Sequence, residues 1–289
     1  MKQLLLLLSI LFVTSCASVN QSLKEGNAAS GANPFPKESY SESSVAFYEV
    51  YNNDTVYFHL SNSLMCPLTV KLREDASRQD LEKKFGRIIL REKQDTIIKI
   101  HHPGLGPKFN RDLYIISFGD LTRQITKTPV AFPFPKGKEY RIIQGYNDSF
   151  SHNELKSRFA IDFSLQIGDT VTSADDGYVV GVIQDYKYHG STQEWRDTDK
   201  SNFITVYHPH SGLFTQYVHL HHKGALVKVG DYVRKRQPIG ISGMTGFTTI
   251  AHLHFNVKYP TEEYDLVSTD IEFENGISGQ DLKREDLVK

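Results

Sequence analysis

Ile250-Ala251-His252-Leu253-His254-Phe255 is the stretch that decides how this chain is read. It is short and apolar, as strands are, and it carries two histidines two positions apart. Side chains on a strand alternate between faces, so His252 and His254 share one face while Leu253 and Phe255 share the other. Two imidazoles side by side on a sheet are poor core material. They make sense where one binds a metal ion and the other works on a water held by that ion. Two further segments supply partners. Phe159-Ala160-Ile161-Asp162-Phe163 sets a lone carboxylate in an apolar strand, and Gln216-Tyr217-Val218-His219-Leu220 sets a lone imidazole in another. A carboxylate in such a setting is costly unless a cation or strong donors meet it.

Outward from these segments the chain reads as all-β. Short runs of β-branched and aromatic residues alternate with turn residues, and helical periodicity is confined to Ser77–Phe85. Residues 43–128 are predicted to form a small sandwich-like β domain with strands at Val45–Val50, Thr55–Leu60, Leu68–Leu72, Thr96–Ile100 and Leu113–Phe118, and with a hairpin turn at Asn52-Asn53-Asp54. No catalytic constellation is found there; His59 reads as a strand residue and His101-His102 as a polar strand end. Pro129, Pro133 and Pro135 mark residues 129–136 as a stiff linker. The second domain then runs over 137–262, and 263–289 reads as a tail whose last stretch, Ser278 to Lys289, is frayed. Within the second domain Gly168-Asp169-Thr170-Val171 and Gly230-Asp231-Tyr232-Val233 each place a tight turn before a strand, the device of a strongly bent antiparallel sheet.

The N-terminus has a different character. Met1-Lys2 and the apolar run to Val13 read as a signal peptide over 1–15, too short to span a bilayer as a stable helix. Val13-Thr14-Ser15-Cys16 resembles the bacterial lipobox, which implies cleavage before Cys16 and its lipidation. Several acyl chains on one residue give stable membrane anchoring. The expected location is therefore the bacterial envelope, on a periplasmic or outer-membrane face. Residues 16–42, rich in Ser, Asn, Gly and Lys, read as a flexible tether. Cys66 is expected to be a small buried hydrophobe; a Cys16–Cys66 disulfide is the alternative, and it requires the lipobox reading to fail. With 33 basic and 34 acidic residues and no basic block, the chain shows no nucleic-acid signature.

Taken together, Ser151-His152, Ala160-Ile161-Asp162-Phe163, Gly168-Asp169-Thr170-Val171, Tyr217-Val218-His219-Leu220, Gly243-Met244-Thr245-Gly246 and His252-Leu253-His254-Phe255 resemble, in order and spacing, the zinc metallopeptidases of the lysostaphin, LytM or M23 type. The resemblance covers roughly 140–259. It implies an antiparallel β peptidase domain and a zinc ion held by His152, Asp162 and His254. It makes His219 and His252 the histidines that orient and deprotonate the attacking water and stabilise the oxyanion. Two nitrogens and one oxygen leave a fourth tetrahedral position open, as catalytic zinc sites do. The implied activity is endopeptidase cleavage of the peptide cross-links of peptidoglycan; a relative that has lost ligands would instead act as a scaffold or activator of other wall hydrolases. One departure stands out. The family's compact motif has a histidine four residues before the aspartate, where this chain has Arg158, a cation without a lone pair to offer. His152, ten residues before Asp162, takes that role. Of the other histidines, His208 and His210 flank Pro209 in what reads as a surface hairpin loop, and His221-His222 read as a turn. Tyr217 and Trp195 each have a packing reading and a site reading.

Overall fold

The computed structural model describes residues 35–40, 45–74, 79–103, 113–198, 200–262 and 265–289. The signal segment, Cys16 and most of the 16–42 stretch lie outside the described residues.

The N-terminal unit is built from β1 (Val45–Asn52), β2 (Thr55–Asn62), β3 (Leu68–Leu72), α1 (Gln79–Phe85), β4 (Arg87–Leu90), β5 (Asp95–His101) and β6 (Tyr114–Phe118). Two three-stranded antiparallel sheets, β1-β2-β5 and β4-β3-β6, pack face to face. Alternation explains why. Val56, Phe58 and Leu60 of β2 and Val45 and Phe47 of β1 point into a shared core with Leu68, Val70 and Leu81. The β1–β2 turn closes on Asn53, at φ 52°, a left-handed position that asparagine tolerates. Cys66 is buried in this core, as expected of a small hydrophobe.

The second unit comprises β7 (Tyr140–Gln144), β8 (Ile161–Phe163), β9 (Thr170–Thr172), β10 (Gly177–Ile183), β11 (His189–Gly190), α2 (Gln193–Thr198), β12 (Phe203–His208), β13 (Leu213–Val218), β14 (Leu220–Ala225), β15 (Tyr232–Val233), β16 (Pro238–Ser242), β17 (Gly246–Phe247), β18 (Leu253–Thr261), β19 (Asp265–Ser268) and β20 (Leu287–Val288). Its main sheet runs β15-β10-β12-β13-β18-β8-β7-β20, with β19 also paired to β18; β14-β16-β9 forms a second, smaller sheet. One register row decides what this scaffold can do. Tyr217 pairs with Phe255 and Phe255 with Ile161, all three buried in the core. The adjacent row, Val218–His254–Asp162, therefore faces the other way.

Two stretches differ from their sequence reading. In 129–136 the residues Val130, Ala131, Phe132 and Phe134 are buried, with Phe132 stacked on Phe273 at 4.2 Å. Prolines keep this segment out of a central ladder, but the intervening aromatics are too apolar for a solvated linker, so it is part of the second core. The 263–289 stretch is likewise structural. β19 pairs with β18, β20 pairs with β7, and Ile271, Phe273, Leu282 and Val288 are buried. Widely spaced apolar residues among charges hid this role. The two units also share packing: Val180, Tyr207, Phe214 and Leu266 of the second belong to the core of the first, and Arg87 pairs with Glu262 at 2.6 Å. Among the described residues no helix is long and apolar enough to cross a membrane.

Candidate metal centre and active-site cleft

Asp162 sits mid-strand in β8, with Ile161 and Phe163 turned into the core on either side. His254 lies opposite it on β18. His152 reaches the same point from the connection between β7 and β8, where its backbone N–H donates to Asp148 O at 3.0 Å. The three meet closely. His254 Nδ1 is 2.9 Å from Asp162 Oδ1 and 3.2 Å from His152 Nε2, and His152 Nε2 is 3.3 Å from Asp162 Oδ1. One ligand atom from each lies within 4.8 Å of the others, a group that can hold a metal ion.

Hydrogen bonds to carbonyls orient the imidazoles. His152 Nδ1 donates to Gly145 O at 2.9 Å, His219 Nδ1 to Thr245 O at 2.7 Å and His252 Nδ1 to Ile250 O at 3.0 Å. A carbonyl only accepts, so each Nδ1 carries hydrogen, and in the neutral ring Nε2 is left as a lone pair. In His152 that lone pair points at a carboxylate oxygen and another imidazole nitrogen. Three such groups brought this close are reconciled either by protonated imidazoles donating to Asp162 or by a divalent cation taking a lone pair from each. His219 and His252 stand beside this group with ring centroids 4.5 Å apart, and His252 Nε2 is 3.6 Å from Asp162 Oδ2.

Charge follows the same geometry. Burial alone would raise the Asp162 carboxyl, but the charges of His152 and His252 and the hydrogen bonds of His152 and His254 hold it well below the usual carboxylate range. Burial, then repulsion from His252 and His254, pushes His219 well below the ordinary imidazole value, so it is neutral near pH 7. Burial also lowers His254, against the pull of Asp162. In His152 burial is outweighed by Asp162, and the net shift is upward.

His219 reaches the cleft by a backbone device. Continuing the alternation of β13 would put it on the core face with Tyr217. Instead it adopts φ 65°, a left-handed conformation uncommon for a non-glycine residue, which turns its ring into the cleft at the β13–β14 junction. Tyr217 stays in the core, its hydroxyl accepting from Ala174 N at 2.7 Å. The cleft has a volume of about 500 Å³, within the range of ligand pockets, and its walls include Phe150, Phe247, Thr248, Gln216, Asn256 and Lys258. Phe150 stacks on Phe247 at 5.8 Å.

The remaining sequence candidates fall elsewhere. Arg158 is outside the metal group, with its guanidinium 4.8 Å over the Phe159 ring. Trp195 is buried and edge-on to Phe35 at 5.1 Å. His208 is not on a surface loop: it is buried at the end of β12, bonded to Asp176 O at 2.8 Å and Thr215 Oγ1 at 2.9 Å. The loop composition of His208-Pro209-His210-Ser211-Gly212 masked this, because the chain turns only after His208. His210 is exposed and pairs with Asp175 at 3.0 Å, and His221-His222 belong to β14. Sequence reading missed Gly145 and Thr245, which act through backbone carbonyls, and Thr248, whose Oγ1 lies 3.2 Å from His252 Nδ1. Only the Thr245-containing turn motif hinted at them.

Residues 156–266 match the model of peptidase family M23. The chain carries an M23 peptidase domain. The match begins just after His152, so that residue rests on the geometry above. An uncharacterized metalloprotease of Buchnera aphidicola is 35% identical over 136 residues, 46% of this chain and 32% of that protein. The peptidoglycan DD-endopeptidase ShyB of Vibrio cholerae is 31% identical over 149 residues, 50% of this chain and 32% of its own. The chain thus spans about a third of the length of these curated relatives. Among solved structures, lysostaphin from Staphylococcus simulans is similar at 27% identity, covering 45% of this chain and 47% of that one with a TM-score of 0.34.

Proposed function

We propose that this protein is a zinc-dependent endopeptidase that cleaves peptide cross-links of bacterial peptidoglycan. The observation that carries the reading is the convergence of His152, Asp162 and His254 beside two further imidazoles on an open cleft. The M23 match and the peptidoglycan endopeptidase among the relatives support the substrate class.

His152 Nε2, Asp162 and His254 Nδ1 would hold the zinc. When bound, zinc supplies Lewis acidity, bringing the pKa of a water toward 7 and polarising a carbonyl. The chain does the rest. His219 and His252, each with Nδ1 committed to a carbonyl, present Nε2 as the proton acceptor. Whichever ring takes the water's proton becomes an imidazolium beside the reacting carbonyl, able to donate to the developing oxyanion and then to the leaving amine. The nearby pair Phe150 and Phe247 offers an apolar wall for an extended peptide.

The membrane arm of the proposal is a lipidated Cys16, which places the enzyme in the bacterial envelope; release of Cys16→Ser from membranes checks it. The reaction itself is tested by digesting purified peptidoglycan with the full chain, with and without chelator, and identifying the fragments by mass. Released cross-link peptides, lost with chelator and restored by zinc, are expected. Intact peptidoglycan after incubation with zinc-loaded, folded protein would overturn the reading.

A further inference from the structure

The stretch Phe35–Tyr40 belongs to the segment whose composition suggests a flexible tether, yet it is strapped to the M23 domain. The clamp is Lys200, a lysine only 7% exposed. Its ammonium donates to Pro36 O at 2.7 Å and Glu38 O at 2.8 Å and lies 5.1 Å over the Phe35 ring. A buried ammonium is tolerated only when such acceptors meet it. Tyr186 adds a hydroxyl bond to Glu38 O at 3.3 Å and an edge contact with Tyr40 at 4.8 Å. Phe35 packs edge-on against Trp195 at 5.1 Å.

From this strap two routes lead inward, one to each non-ligand histidine. The first passes through Asn202, which is fully buried. Asn202 Oδ1 accepts from Tyr186 N at 3.0 Å, and Nδ2 donates to Tyr186 O at 2.9 Å and Leu220 O at 3.3 Å. Asn202 N donates to Thr245 Oγ1 at 3.0 Å, and Thr245 O accepts the His219 Nδ1 proton at 2.7 Å. Asn202 O also accepts Leu220 N at 3.1 Å, so Asn202 grips the residue after the left-handed His219 by both of its backbone groups. The second route passes through Trp195. Its indole lies so close to Gly190 that no Cβ would fit there, Gly190 O accepts Thr248 N at 3.0 Å, and Thr248 Oγ1 lies 3.2 Å from His252 Nδ1. The metal group is held from another direction, by Gly145, β8 and β18.

We propose that Lys200 and the strap Phe35–Tyr40 position His219 and His252 for catalysis without taking part in metal binding. The proposal rests on the reading that these two histidines act in hydrolysis. A left-handed His219 persists only because its surroundings over-determine it, and Asn202 and Thr245 are those surroundings. Misplacing a working group by about 1 Å can cost on the order of 100-fold in rate. Loosening the strap should therefore lower turnover while leaving the metal in place.

The test uses the full chain carrying Lys200→Met, which removes the ammonium, and separately Phe35→Ala, which removes a ring on the strap itself. Three readouts are taken: zinc stoichiometry, kcat and KM on peptidoglycan fragments, and the ring N–H signal of His219 by NMR. Expected are unchanged zinc, a kcat roughly 10- to 100-fold lower with KM nearly constant, and a shifted, faster-exchanging His219 Nδ1–H. Wild-type kcat and an unmoved His219 signal in Phe35→Ala would overturn the proposal, even with a lower Tm, because a merely stabilising strap predicts that result. Parallel loss of zinc and kcat would also overturn it. Should Lys200→Met fail to fold, Phe35→Ala decides. Should the wild-type protein show no hydrolysis, the functional reading fails, and the His219 signal alone decides whether the strap positions the ring.

Discussion

Two buried carboxylates, one in each unit, show what separates the halves of this molecule. Glu49 of β1 and Asp162 of β8 are 1% and 3% exposed. Burial pushes the Glu49 carboxyl up, only partly offset by a hydrogen bond with Tyr114, whereas Asp162 is driven well below the normal range by imidazoles around it. Equal burial thus has opposite outcomes, set by whether cationic partners converge. The backbones differ in parallel. β1 and β2 pair without interruption from Val45↔Asn62 to Asn52↔Thr55, while the M23 sheet breaks register at Val179/Gly181 and Ile142/Gln144 and ends β13 on a left-handed histidine. The ladders that carry the site row, β13–β18 and β18–β8, stay regular, and the breaks fall in the β10–β12 and β7–β8 pairs beside them.

The same chemical swap in both units should break the comparison most sharply. Asp162→Asn is expected to lose zinc and all measurable hydrolysis, whereas Glu49→Gln should keep both; metal analysis and turnover on peptidoglycan fragments check this. Within the cleft, His219→Ala and His252→Ala should each cost about 100- to 10,000-fold in kcat, the usual range for acid–base groups, with zinc retained. Zinc loss in either would move that residue among the ligands. The smallest effect concerns stability. Burial pushes His208 down to about 4, against the opposing bond to the Asp176 carbonyl. The unfolded chain titrates near 6.5, so His208 contributes no pH dependence above that value. As pH falls from about 6.5 toward 4 the unfolded state binds a proton that the folded state refuses, and stability is lost progressively. At pH 5 the loss is about 2 kcal/mol. Denaturant melts at pH 8 and pH 5 should show this difference shrinking in His208→Gln.

Much of this was legible before the fold was known, for physical reasons. Strand alternation alone puts His252 and His254 on one face, and a carboxylate among Ile161 and Phe163 announces a partner. The hairpin at Asn52–Asp54 is local turn chemistry. What stayed hidden was non-local. Alternation places His219 with Tyr217 on the core face, and only the observed φ of 65° corrects it. Carbonyl acceptors such as Thr245 O leave no side-chain signature. His208 looks like loop because Pro209 follows it, and Phe132 and Phe134 look like linker because prolines surround them. The strap at 35–40 looks solvated because its binding depends on Lys200, far along the chain.

One late pairing carries a cost of its own. β20 contributes only Leu287 and Val288, yet they cover β7 at Arg141 and Tyr140. Before those two residues are in place, β7 presents a row of unpaired backbone donors and acceptors, the kind of open margin that recruits strands from neighbouring molecules. A variant cut short ahead of Leu287 is therefore expected to leave the β7 margin open at Arg141 and Tyr140 and to self-associate more readily than the full chain, which size-exclusion chromatography checks.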